Sequence, residues 1–146
     1  AVLIGKAGKE ISEGEAMTHV AGYGIGLDMT LRDVQNELKS KGLPWEMAKA
    51  FDTSCPLSQF VPTSRIPDPH NLDISLKVNG EVRQAANTSM MMRSIPAIIH
   101  AVSEIFTLEP GDVILTGTPA GVGAVGSGDL MTAEIEGIGM LEVGVA

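Results

Sequence analysis

The dipeptide Asn79-Gly80 constrains this chain more than any other pair of residues in it. Both residues tolerate positive φ, which a two-residue hairpin turn needs if its twist is to match that of its strands. The residues before it, 72–78 (LDISLKV), alternate apolar and polar as a half-buried strand does, and 81–84 (EVRQ) return as the partner. The chain therefore contains antiparallel sheet. Seventeen glycines and eight prolines suit a protein with many turns. Aromatic residues make up only 3%, so a core has to be built from Val, Ile, Leu, Met and Ala. A length of 146 residues suits one domain.

Other segments fill in around the hairpin. Ser12 and Glu15 fit a capping box that opens a short helix running to about Val20. Residues 22–29 (GYGIGLDM) read as a Gly-rich strand that allows another backbone to come close. Thr30 looks like the cap of a helix running to about Lys41, with Leu31, Val34 and Leu38 on one face, stopped by Gly42 and Pro44. A short helical stretch is expected at 45–51, and a strand at 57–61. Asn87 and Thr88 cap a helix over about 89–106, which Pro96 either kinks or starts. Residues 112–116 (DVILT) read as a buried strand entering a Gly-rich loop over 117–128. Strands at 130–135 and 140–145 close the chain. The fold class is mainly β with about three helices, an α+β protein. The opening Ala1-Val2-Leu3-Ile4-Gly5 reads as the middle of a strand, without initiator Met or cap, which suggests N-terminal truncation.

A formal charge of -8 repels phosphate backbones and anionic membrane surfaces, so neither nucleic acid nor membrane is expected as a partner. A single cysteine, Cys55, forms no internal disulfide and fits a reducing compartment; it reads as buried and inert. The Met90-Met91-Met92 run reads as helical core. His19, His70 and His100 lack the spacing of a zinc site, and no serine sits in a Gly-x-Ser-x-Gly elbow.

Three segments hold candidate chemistry. Asp28 lies where an apolar strand meets a helix start, as a cap-like acceptor or a hard-metal ligand. Arg32 and Gln35 are one helical turn apart and point the same way, either to solvent or to clamp a carboxylate. Lys49, among Met47, Ala48 and Phe51, is either a partly desolvated amine or a side chain with its head in water. The loop 115–123 (LTGTPAGVG) presents two hydroxyls and backbone N–H groups suited to anions. It is neither a Walker A loop nor a dinucleotide fingerprint.

Taken in order, GYGIGLDMTLRDVQ, GLPWEMAKAFDTSCPLSQFVP, VNGEVRQ, NTS and LEPGDVILTGTPAGVG resemble the C-terminal catalytic domain of the fumarylacetoacetate hydrolase family. The likeness runs along almost the whole chain and is strongest to the single-domain acylpyruvases, fumarylpyruvate hydrolases and oxaloacetate decarboxylases. It implies a mixed β-sandwich roll, a homodimer, and a Mg²⁺ or Mn²⁺ ion held by a Glu-x-Glu pair and one Asp. Asp28 matches that Asp. Arg32, Gln35, Lys49 and Thr118 match positions that hold the 2-oxo-carboxylate end of the substrate, and Lys49 is the expected catalytic residue. The Glu-x-Glu pair would lie just before Ala1, and a His-Glu pair on an N-terminal lid is also outside the sequence, so the fragment alone is expected to be inactive. Met90 stands where the family often has Asp. The implied activity is C–C hydrolysis of acylpyruvates, or decarboxylation or tautomerisation of oxaloacetate, through a pyruvate enolate. Alternatives are an isomerase or decarboxylase of aromatic catabolism, or a degenerate dimer-forming module. The expected compartment is the cytoplasm of a bacterium, or the mitochondrial matrix or cytosol of a eukaryote.

Overall fold

The computed structural model describes residues 1–146. Two compact units are present, one made of Ala1–Ile25 with Ser58–Ala146, the other of Gly26–Leu57.

The first unit contains two four-stranded sheets. One has the order β3-β2-β1-β6, from β1 (Val2–Ile4), β2 (Val20–Tyr23), β3 (Val61–Pro62) and β6 (Val113–Ile114). The other has the order β5-β4-β7-β8, from β4 (Asp73–Val78), β5 (Glu81–Asn87), β7 (Leu130–Ile135) and β8 (Gly139–Gly144). Every strand pair is antiparallel. The turn between β4 and β5 has positive φ at both Asn79 (51°) and Gly80 (82°), as the hairpin reading requires. Ile74, Leu76 and Val78 face the same way as their partners Ile135, Ala133 and Met131 on β7, so the alternation written in β4 becomes one apolar face.

The core of this unit gathers Val2, Ile4, Val20, Ile95 and Ile99 among others, aliphatic as composition demanded apart from Tyr23. Burial raises the pKa of the Tyr23 phenol above its ordinary value. Gly22 lies against the Val61 carbonyl oxygen, where a Cβ would collide. This is the close backbone approach expected of the Gly-rich strand, although the strand ends at Tyr23 rather than near Met29.

Helix α4 (Ile95–Ile105) buries Ile95, Ile99 and Ser103, spaced four apart on one face. Pro96 marks its start rather than a kink, and Ser94 Oγ accepts from the Ala97 N–H as its cap. His70 Nε2 accepts from the Ile95 N–H at 3.0 Å, satisfying another free donor of the first turn. Lys9 Nζ donates to the Ile105 carbonyl at 3.1 Å at the other end, where a cation is favourable. Ser103 Oγ, fully buried, accepts from Ile11 N at 2.9 Å and donates to the His100 carbonyl.

The structure departs from the sequence pattern at several places. Asn87 caps only a 3-10 turn (Thr88–Met90), because Ser89 N turns back to its side chain and α4 begins afresh at Ile95. Met90 and Met92 are exposed, at 75% and 102%, since they precede the helix and do not lie on its buried face. The Ser12 hydroxyl donates to Glu15 Oε2 instead of capping a backbone N–H, and α1 is one turn (Glu13–Ala16) continued by a 3-10 turn. The strand expected at 57–61 is reduced to Val61–Pro62, and that at 112–116 to Val113–Ile114, with Leu115 exposed.

Candidate active site

The unit Gly26–Leu57 carries α2 (Arg32–Ser40) and α3 (Glu46–Lys49). Its two ends run antiparallel. Leu27 N donates to the Pro56 carbonyl and Met29 N to the Ser54 carbonyl, beside a bridge between Gly26 and Leu57. In an extended segment successive side chains alternate. Leu27 is buried, at 8% exposed, and Asp28 next to it is exposed.

A second link brings Lys49 to Asp28. Leu31 N donates to the Ala48 carbonyl at 3.1 Å, and Ala48 is fully buried, which fixes the last turn of α3 beside the entry to α2. Lys49 Nζ then lies 2.7 Å from Asp28 Oδ2 and 2.9 Å from Thr30 Oγ1. The side chains of Lys49 and Asp28 are 34% and 50% exposed. At that exposure an ion pair contributes only about 0–1 kcal/mol to stability, so folding depends little on it.

Thr30 was expected to cap α2. It does not: the N-cap position is Leu31, without a side-chain bond. The Thr30 hydroxyl instead donates to the Asp28 carbonyl and accepts from Lys49. The spacing of the sequence disguised it as a cap; its only legible signal is adjacency to Asp28. Arg32 and Gln35 do come together, with Arg32 Nη1 donating to Gln35 Oε1 at 2.6 Å. Gln35 is buried and steadies one edge of an exposed guanidinium, whose planar fork suits a carboxylate. Cys55 is exposed rather than buried, because its neighbour Ser54 takes the inward position.

Thr118 lies in the first unit, in the Gly-rich loop after β6. Its Oγ1 accepts from Gln84 Nε2 at 2.8 Å, and the same nitrogen donates to the Pro119 carbonyl at 2.8 Å. Gln84, on β5, is buried at 9% exposed, although in the sequence it reads as an ordinary strand position.

The donor set tests the implied metal. No three His, Cys, Asp or Glu side chains converge. Asp28 is a hard oxygen donor that fits a divalent cation as one member of a larger ligand set, and does not hold one by itself. The three histidines have backbone partners: His19 Nδ1 donates to Lys6 O, His100 Nδ1 donates to Ile11 O, and His70 accepts from Ile95 N.

The model of the fumarylacetoacetate (FAA) hydrolase C-terminal family matches residues 1–146. The chain belongs to this family. The mitochondrial oxaloacetate tautomerase of Bos taurus is 59% identical to it over 138 residues, 94% of this chain and 62% of that protein. The crystal structure of fumarylpyruvate hydrolase from Pseudomonas aeruginosa, in complex with Mn²⁺ and pyruvate, superposes with a TM-score of 0.96. It is 43% identical and covers 99% of this chain, which covers 62% of it. The 2-hydroxyhepta-2,4-diene-1,7-dioate isomerase of Mycobacterium marinum superposes with a TM-score of 0.88 at 43% identity, over 97% of this chain and 54% of that one. The chain thus spans about three-fifths of the length of the curated relatives it matches, 62% for the bovine protein. The two antiparallel sheets with few helices are the family fold, and the named family relatives are enzymes. No helix is long and apolar enough to cross a membrane.

Proposed function

We propose that the protein carrying this chain acts on small 2-oxo acids, with oxaloacetate keto–enol tautomerisation as its leading reaction. The supporting observation is Lys49, whose ammonium is fixed by Asp28 and Thr30 in a segment shared with an oxaloacetate tautomerase. Tautomerisation removes a proton from C3 of the oxo acid and delivers one to the C2 oxygen, through an enolate. The ammonium of Lys49 stabilises the charge that develops on that oxygen, and a preorganised donor of this kind is worth about 2–4 kcal/mol. Arg32, steadied by Gln35, clamps a carboxylate of the substrate. Thr118 donates to an oxygen of its 2-oxo-carboxylate end. Asp28 is one ligand of a divalent cation, Mg²⁺ or Mn²⁺, which when bound supplies Lewis-acid stabilisation of the same oxygens.

Acylpyruvate hydrolysis and oxaloacetate decarboxylation pass through the same type of enolate, and the likeness to fumarylpyruvate hydrolase supports the former. An isomerase acting on a longer unsaturated diacid is the second reading, supported by the Mycobacterium marinum structure. The family resemblance also implies a homodimer, which light scattering tests.

The deciding experiment is steady-state turnover of oxaloacetate and acetylpyruvate by the full-length protein, with Mg²⁺ and with EDTA. Metal-dependent enol–keto conversion faster than pyruvate release supports tautomerisation. Faster pyruvate release moves the assignment to decarboxylation or hydrolysis. No turnover with Mn²⁺ bound points to the longer diacid. No turnover and no Mn²⁺ binding leaves a non-catalytic module.

A further inference from the structure

We infer that Gln84 is a positioning residue that turns the Thr118 hydroxyl into a directed hydrogen-bond donor. This rests on the reading that Thr118 touches the substrate.

Pro119 fixes the orientation of the Gln84 amide. Its carbonyl only accepts, so the Gln84 atom 2.8 Å away is the amide nitrogen, and the orientation of the amide is fixed by this contact. That nitrogen has two protons and no acceptor capacity. The second proton goes to Thr118 Oγ1, also at 2.8 Å. Toward β5, then, Thr118 is an acceptor. A hydroxyl has one proton, and with its inward side receiving a bond that proton is directed away from Gln84. Thr118 itself is exposed, while Gln84 is buried, so the amide holds the hydroxyl from beneath.

The loop is pinned beside this contact as well. Gly121 has φ of 101°, and a Cβ there would collide with the Arg83 carbonyl oxygen on β5. Loop backbone therefore lies directly on the strand one residue from Gln84, and Thr118 and Pro119 have little freedom to withdraw from the amide. The consequence is a proton presented in one direction. A hydroxyl held this way donates to an oxygen bearing lone pairs, such as an enolate or carboxylate, without first reorienting. A freely rotating threonine would lose rotational freedom at each encounter.

The test is a double-mutant cycle in the full-length protein on oxaloacetate, with Thr118→Val, Gln84→Met and the double variant. Thr118→Val is expected to lower kcat about tenfold with KM changed less than about threefold, the signature of a contact strengthened in the transition state. Gln84→Met is expected to show the same split, and the double variant to match Thr118→Val within about twofold. Gln84→Glu, whose carboxylate only accepts, would draw the Thr118 proton inward and lose at least as much as Gln84→Met. A wild-type Gln84→Met, or a double variant with the product of the two single losses, overturns the inference. If Thr118→Val is wild-type while Lys49→Ala is impaired, the inference falls with the Thr118 assignment and the Lys49 reading stands. If both are wild-type, the functional reading itself falls. Should Gln84→Met not fold, Gln84→Asn, which keeps the amide but withdraws it from the loop, is carried through the same cycle.

Discussion

In the unit that holds both sheets, Ala16 and Ile99 are fully buried and Ile4 is 1% exposed. In Gly26–Leu57, Leu31, Leu43, Trp45, Met47 and Leu57 are all exposed. The first unit is held by apolar burial, at about 1.5–3 kcal/mol for each fully buried aliphatic side chain. The second has few such anchors, chiefly Leu27 and Ala48, and is tied by backbone bonds such as Leu31 to Ala48 and Met29 to Ser54. Four of the five candidate site residues, Asp28, Arg32, Gln35 and Lys49, fall in the thinly buried unit. A segment with little apolar burial opens at lower free energy than a packed core. Placing the polar chemistry there leaves the core of the sheets free of charged groups whose burial would be costly.

Substitutions that separate the two units sharpen this contrast. The largest effect is expected from Asp28→Ala, which should lower metal-dependent turnover of the full-length protein by about a thousandfold, near the upper range for loss of one key electrostatic group. Its melting temperature should hardly move, because the pair with Lys49 is solvent-exposed. Ile99→Ala should do the reverse. Loss of a fully buried side chain costs about 2–5 kcal/mol in denaturant unfolding, with kcat per folded molecule unchanged. A large fall in kcat there would break the division between the units.

Lys49→Ala is expected to cost about 2–4 kcal/mol of transition-state stabilisation, read from kcat/KM, again with little change in unfolding. A loss below about tenfold, roughly 1.4 kcal/mol, would demote Lys49 to a surface residue. The smallest effect lies in the β7 region. Asp129 has its pKa lowered by the Gly126 N–H and then by the Asn79 side chain, with Arg83 adding a weaker attraction. A carboxylate whose folded pKa lies below its unfolded value contributes stability above the unfolded pKa and loses it as pH falls through the folded one. Asp129→Asn should therefore be slightly less stable than wild type at neutral pH, with the gap closing on acidification through the carboxylate range. Thermal melts of both proteins across that range check the sign.

How far the sequence could be read depended on the distance over which each feature is decided. The Asn79-Gly80 hairpin, the stop at Gly42 and the Arg32–Gln35 pair were all legible, because turn dihedrals and helical spacing depend on residues a few positions apart. The candidate site was legible as a set of residues through the resemblance, and Lys49 against Asp28 gives part of that set a geometry.

What local pattern left open was the partner of each polar group. Thr30 matched a cap, yet its hydroxyl serves Lys49, 19 residues away. Gln84 looked like any strand residue, yet it holds Thr118 from 34 residues away. Met90 and Met92 carried the composition of a core and lie in solvent, because the helix starts after them. By itself the sequence determined the periodicities, the turns and the family. Only the tertiary structure decided which hydroxyl caps a helix and which holds a lysine, since a side-chain hydrogen bond forms with whichever group folding brings within about 3 Å, and that choice is not written in nearest neighbours.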